Sequence, residues 1–233
     1  TFRDGLWSAD LRMPFGGGYS YFSPDLGVEG TDVGNLAITL KRLLYTSNYG
    51  VVAGGLGIGT PTGGDVTGHA IFSDFVLYND AVHLSPWVGF LRSPNDRFFY
   101  QGFLQVDVAT NGNRVEFGGQ RIGNLYDQKQ MLLDFEMGYW LYRNPRAPFL
   151  RGLAGIFELH YTTTLQDANF VSGFDGNQSL TFGNLYNRVD LMNLTVGLHA
   201  EMGLTTLSVG GVFPLRDEWD RAFDAEVQVF LNR

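Results

Sequence analysis

The sequence predicts an all-β protein, a transmembrane antiparallel up-and-down β-barrel of about ten strands, with twelve as the upper count. Three observations predict it: strict alternation of apolar and polar side chains, segments of ten or more residues, and connections that alternate between short and long. Composition agrees. The 233 residues include 31 Gly, with 15% aromatic and only 17% charged, and Gly and aromatics suit strands and turns better than helix interiors. The 24 acidic against 16 basic residues give a net charge of -8, and Lys41 and Lys129 are the only lysines, so nucleic acid is a poor partner. The lack of Cys excludes a disulfide scaffold, a Cys-ligated metal and thiol catalysis, and suits passage through an oxidising periplasm. The longest uncharged stretch, 43 to 64, is interrupted by Gly, Thr, Ser, Asn and Pro and cannot form the roughly 20-residue apolar helix that spans a bilayer. With neither an initial Met nor a basic-then-apolar leader, the chain reads as a mature secreted product or a fragment.

The expected strands, in order, cover about 6 to 15, 33 to 45, 49 to 60, 80 to 92, 97 to 110, 128 to 143, 148 to 164, 188 to 200, 204 to 215 and 222 to 233. The first sets Trp7, Leu11 and Met13 against Ser8, Asp10 and Arg12; the second sets Leu36, Ile38 and Leu40 against Asn35, Thr39 and Lys41. The third is strand-like but too Gly-rich for its faces to be assigned. The fourth and fifth place Val82, Leu84, Val88 and Phe90 against His83 and Ser85, and Leu104, Val106 and Val108 against Gln105 and Asp107. In the sixth, Met131, Leu133, Phe135, Met137 and Tyr139 oppose Gln130, Asp134, Glu136 and Gly138; in the seventh, Phe157, Leu159 and Tyr161 oppose Glu158, His160 and Thr162. The eighth has Met192, Leu194, Val196 and Leu198 against Asn193, Thr195 and His199, with Glu201 at its end, and the last has Val227, Val229 and Leu231 against Glu226, Gln228 and Asn232.

Most of these segments exceed the five or six residues usual in soluble sheets and match the nine to eleven tilted residues of a spanning strand. Connections 16 to 32, 61 to 79, 111 to 127 and 165 to 187 are long; 46 to 48, 93 to 96, 144 to 147 and 201 to 203 are short. Segment 70 to 78 reads as an outward extension of the strand beginning near 80, because an extra spanning strand would break the even count and the loop alternation. The whole chain, 1 to 233, reads as a single barrel domain with both termini periplasmic. The rival fold, a soluble sandwich or lipocalin-like barrel, would bury the apolar parity and expose the acidic one.

The runs GNLAITLKRLLY (34 to 45), SPNDRFFYQGFLQVDV (93 to 108), FELHYTTTLQDA (157 to 168) and FPLRDEWDRAFDAEVQVFLNR (213 to 233) resemble a group of uncharacterised predicted outer-membrane β-barrel proteins of planctomycete-type bacteria. The resemblance extends over most of the chain from about residue 34. It implies the fold and an outer-membrane location, and brings no substrate, partner or catalytic residue. Outer-membrane barrels commonly end on a terminal aromatic, whereas this sequence ends Phe230-Leu231-Asn232-Arg233, which reads as a residue or two missing from the end.

In such a barrel the polar parity faces the lumen, and ten strands leave only a narrow or plugged one. The expected lumen is acidic: Asp10, Asp107, Asp134, Glu136, Glu158, Glu201, Asp224 and Glu226 against Arg12 and Lys41, with His83, His160 and His199. Pairing across the short turns places Asp134 and Glu136 beside Ile156 and Glu158, and Asp107 across from Asp134. Several carboxylates in a confined space are protonated, paired or cation-bound, so a lumen cation is the one cofactor considered and no metal site is assigned. His83, Ser85 and Asp107 share one region of wall, but side chains at i and i+2 on a strand stand about 6 to 7 Å apart, too far for a nucleophile–base pair. A hydrolase is therefore the minor alternative. The Gly runs at 16 to 18 and 54 to 59 precede no helical pattern and are not nucleotide loops. Aromatics near strand ends, Trp7, Tyr45, Tyr49, Tyr100, Tyr139, Tyr161 and Phe223, suit interfacial girdles. The expected function is a narrow or plugged pore with an acidic lumen, the alternative a non-conducting barrel whose long loops present themselves to a protein partner.

Overall fold

The computed structural model describes residues 5 to 16, 20 to 23, 26 to 30, 33 to 184, 188 to 217, 220 to 221 and 223 to 233. Among them there is no α-helix, and every named strand pairs antiparallel. Ten strands form one meander: β1 (Trp7–Arg12), β4 (Ala37–Ser47), β5 (Gly50–Gly59), β8 (His83–Arg92), β9 (Phe98–Ala109), β12 (Lys129–Arg143), β13 (Leu150–Gln166), β16 (Asp190–Met202), β17 (Thr205–Pro214) and β18 (Glu226–Asn232). These are the ten expected strands. Each pairs only with its neighbours in that order, so β1 and β18 are the sheet edges and no ladder joins them among the described residues.

Alternation fixes the register, because a slip of one residue would move every side chain to the other face. On one face lie Leu40, Val88, Leu104, Leu133, Phe157, Leu198, Val209 and Val227, all exposed. The other carries the polar parity. Gly residues on that second face make room for large rings: a β-carbon at Gly55 would stand 2.6 Å from Trp87 Nε1, and one at Gly138 would meet the Phe99 ring. That is why β5 can be so rich in Gly and still be a strand.

The long connections all leave from one end of this sheet, and they are not loops. They contain β2 (Ser20–Phe22), β3 (Leu26–Glu29), β6 (Val66–Ala70), β7 (Ser73–Leu77), β10 (Asn113–Phe117), β11 (Gln120–Leu125), β14 (Val171–Phe174) and β15 (Ser179–Phe182). The first six join edge to edge as a second sheet, β11-β10-β7-β6-β3-β2, and β14 pairs with β15. Ala70, Phe75 and Phe117 form a buried cluster here, with Leu26, Val28, Ile122, Leu180 and Phe182 packed against it, so all four long connections contribute to one core. Gly118 and Gly119, with φ of 59° and 73°, close the β10–β11 hairpin in the two-residue turn that needs left-handed backbone at both positions.

Segment 70 to 78 does not extend the strand that follows it. It completes β6 and forms β7, whose outer neighbours come from other connections. The backbone between β7 and β8 leaves the ladder because asparagine side chains take its hydrogen bonds: Asn113 Oδ1 accepts from the N–H of Asp80 and Ala81 (3.0 and 2.8 Å), and Asn111 Oδ1 from that of Val82 (3.0 Å). Asn35 and Asn79 bond each other reciprocally, and Asn79 Nδ2 also donates to the Gly63 carbonyl (2.9 Å). These amides tie the second sheet, the cap, to the end of the first.

Candidate functional site

The polar face of the large sheet gathers most of the charged side chains expected there. At its centre His160 lies between two carboxylates, Nδ1 at 2.8 Å from Asp134 Oδ1 and Nε2 at 3.1 Å from Glu158 Oε2. Glu136 accepts from Gln101 Nε2 and stands opposite Glu158 in the ladder. The register brings this about: β12 pairs with β13 so that Asp134 faces His160, while Gln101 of β9 faces Glu136. A cavity of about 460 Å³ is lined by these five residues with Trp87 and Phe103.

Two details of the expected wall are corrected. Ile156 lies opposite Gly138, not beside Asp134, and Asp107 lies opposite Gln130 while Asp134 lies opposite Phe103. Antiparallel pairing sends the two strands in opposite directions, so Glu136 opposite Glu158 puts Asp134 opposite His160. The bulge at Trp140/Tyr142 hides this registration from a count across the turn.

Asp107 belongs to a second group nearer the cap. It accepts a hydrogen bond from Ser85 Oγ at 2.5 Å, and His83 Nε2 lies 3.2 Å from Asp127, which sits between β11 and β12. His83, Asp107 and Asp127, with Gln128 and Gln130, line a cavity of about 350 Å³. Ser85 and His83 do not bond each other; each engages a different aspartate, Asp107 and Asp127.

The remaining residues are dispersed. Lys41 pairs with Asp10. His199 Nδ1 lies 2.8 Å from Ser208 Oγ, and its ring meets Trp140 edge-on at 6.2 Å above the buried Ala154. Glu201 flanks Gly152, near the short-turn end. Arg12 ends β1 opposite Ala37, and Glu226 begins β18 opposite Val212. Asp224 leaves the wall: it precedes β18, is 96% exposed and pairs with Arg221 at 2.6 Å. No group of three or more His, Asp or Glu side chains among the described residues is arranged to hold a metal ion.

Aromatics on the polar face were the part that residue chemistry did not flag. Trp87 packs on Phe103 (5.7 Å between centroids) and Phe99 on Trp140 (5.9 Å), so rings flank the charged centre. Parity alone would have found them, since Phe99, Phe103 and Trp140 share the phase of Gln101, Asp134 and Glu136. Of the expected girdle, Tyr45, Tyr49 and Tyr139 are exposed, whereas Phe223 precedes β18.

No family model, no curated protein and no solved structure matches this chain.

Proposed function

We propose that the ten-stranded sheet closes, β1 against β18, into an integral barrel of the bacterial outer membrane with a narrow acidic lumen that prefers cations. One observation carries this: the apolar parity is exposed along the sheet, while the compact apolar core lies in the cap. Monomeric soluble proteins rarely expose contiguous apolar patches of more than a few hundred Å², and lipid is the solvent that such a surface fits. Unpaired edges do not occur in hydrocarbon, where every lost backbone hydrogen bond costs several kcal/mol, so β1 and β18 must meet there. The polar face then lines the lumen, with three carboxyl groups, Asp134, Glu136 and Glu158, around one imidazole, His160.

A second reading, a non-conducting barrel that presents its cap to a partner, is favoured by one feature. The rings of Trp87, Phe99, Phe103 and Trp140 occupy the space beside the charged centre. Planar-bilayer recording separates the two. A pore gives discrete conductance steps with a reversal potential favouring cations, and Asp134→Asn with Glu136→Gln lowers that preference; a silent bilayer supports the sealed barrel. Protein that is monodisperse without detergent defeats both.

A further inference from the structure

The short-turn end of the sheet differs in charge from the rest of this acidic chain. In the turns and their flanking strand ends (42 to 53, 89 to 101, 139 to 154 and 199 to 208) there are six arginines, 42, 92, 97, 143, 146 and 151, against the carboxylates of Asp96 and Glu201. Most of these arginines are engaged. Arg42 lies over Trp7 and Arg143 over Trp140 (5.2 Å each), Arg97 reaches the Tyr139 hydroxyl (3.5 Å), and Arg151 donates to the Gly203 carbonyl (3.1 Å).

Arg92 is different. It is exposed, has no carboxylate or carbonyl partner among the described residues, and borders a cavity of about 450 Å³ on the apolar face. Three tyrosines, Tyr45, Tyr49 and Tyr100, line the same cavity, with Val52 and Phe90 among its apolar residues. The ladder builds this arrangement: a bulge at Leu43/Tyr45 sets Tyr45 opposite Val52, Val52 lies opposite Phe90, and Arg92 lies opposite Tyr100. Phe90 lies over Gly102, where a β-carbon would stand 2.6 Å from its ring, and meets Tyr100 edge-on at 6.1 Å.

We propose that this groove binds one anionic glycerophospholipid, its phosphate on Arg92 and the tyrosine hydroxyls and its acyl chains along Val52 and Phe90. The proposal rests on the membrane reading and adds to it a specific site. Charge complementarity selects the occupant. A guanidinium without a protein acceptor, next to phenolic donors and above an apolar floor, matches a ligand with a phosphate at one end and hydrocarbon at the other. A phospholipid without net charge carries an ammonium that the arginine-rich rim repels, so phosphatidylglycerol is the test ligand.

The experiment is native mass spectrometry of the detergent-solubilised full chain with equimolar phosphatidylglycerol and phosphatidylcholine. The wild type is expected to retain one phosphatidylglycerol in preference, and Arg92→Gln to retain it about tenfold less, the loss of one charge-assisted contact. Arg146→Gln is the matched control with unchanged retention, and Tyr45→Phe with Tyr49→Phe gives an intermediate loss with the guanidinium intact. Equal retention in the wild type and Arg92→Gln, or no preference between the two lipids, overturns the site while leaving the barrel standing. Displacement by inorganic phosphate alone at millimolar concentration assigns the groove to a free anion and overturns the lipid. If the protein needs no detergent, it is the membrane reading that has failed, and the site fails with it.

Discussion

The cap and the ten-stranded sheet are built from the same residue types and treat apolar surface in opposite ways. In the cap, Val115 is 0% and Phe117 2% exposed, whereas Val227 of the sheet is 75% exposed and Leu198 51%. The cap has brought its hydrophobic residues together from four separate connections, as a soluble domain does. The sheet leaves them exposed on one face and carries its charges on the other. One chain therefore contains a region that buries its apolar side chains and a region that exposes them, and the asparagine side chains at 35, 79, 111 and 113 mark the boundary between them. The contrast teaches that burial must be judged region by region: an exposed leucine is out of place in the first setting and, on the proposed membrane reading, required in the second.

The largest expected effect breaks the water-facing half. Phe117 is the largest fully buried side chain among the described residues, and Phe117→Ala should destabilise the cap by about 3–5 kcal/mol through lost transfer energy and the cavity left behind. Hydrogen exchange in detergent should show faster exchange over β6, β7, β10 and β11 and little change in β12, β13 and β16. Equal loss of protection in both regions would show that they are one cooperative unit and remove the distinction.

The sheet is tested by the opposite kind of substitution. Arg in place of Val227 should cost about 2–4 kcal/mol in refolding stability in lipid if that position meets mid-membrane hydrocarbon, and Arg in place of the adjacent Gln228 should cost much less if the opposite, polar face lines the proposed lumen. Both positions stand in β18, opposite Gly211 and Gly210, so local backbone effects are shared and the difference isolates facing. Similar penalties would sink the parity assignment and the barrel with it.

The sheet was legible in the sequence because its signal is local. Eight of the ten strands carry a readable alternation, and with the Gly-rich third and the ninth between short connections they gave the count and the bounds to within a few residues. The cap was not legible. Its strands have three to six residues, too short for a period to emerge, and β3 finds β6 across a gap that includes two full sheet strands. Nor could the candidate site be read in full. Parity placed Asp134, Glu136, Glu158 and His160 on one face, but which of them meet depends on registration, and the bulge at Trp140/Tyr142 shifts it without a sequence signal. Asp127, the partner of His83, lies in a connection where no alternation pointed to it.

A smaller effect sharpens the description of the cap. Ile71, at the tip of the β6–β7 hairpin, has a φ of 40° and is half exposed. Left-handed backbone costs an L-residue about 1–2 kcal/mol, and a β-branched side chain feels it most. Ile71→Gly should therefore stabilise the cap by under about 1 kcal/mol once the greater freedom of Gly in the unfolded chain is deducted. Slower exchange at the β6 and β7 amides, with the sheet unchanged, is the expected result; faster exchange there would mean that the Ile71 side chain contributes more than its backbone costs.

The smallest effect concerns how β14 and β15 are held to the cap. Asp175, in their turn, accepts a hydrogen bond from Ser73 of β7, and its Oδ1 accepts from the backbone N–H of Asn177 (2.7 Å) and Gln178 (2.8 Å). The Ser73 hydroxyl first, and then the two N–H groups, favour the carboxylate and lower its pKa from 3.8 to about 2. A carboxylate with a depressed folded-state value contributes stability above its unfolded value and loses it as pH falls through the folded one. The contribution is thus complete above about pH 4 and fades toward pH 2, and its place at the surface keeps it small. Acidification over that window should loosen β14 and β15 from β7 before it affects the large sheet. Ser73→Ala removes the main cause of the shift, so the Asp175 titration should move up toward the ordinary aspartate range and the loosening should begin at higher pH. Carboxyl-carbon NMR of Asp175 in wild type and Ser73→Ala checks this directly. Coincident titration curves would show that the turn N–H groups alone set the value and that Ser73 does not anchor the hairpin.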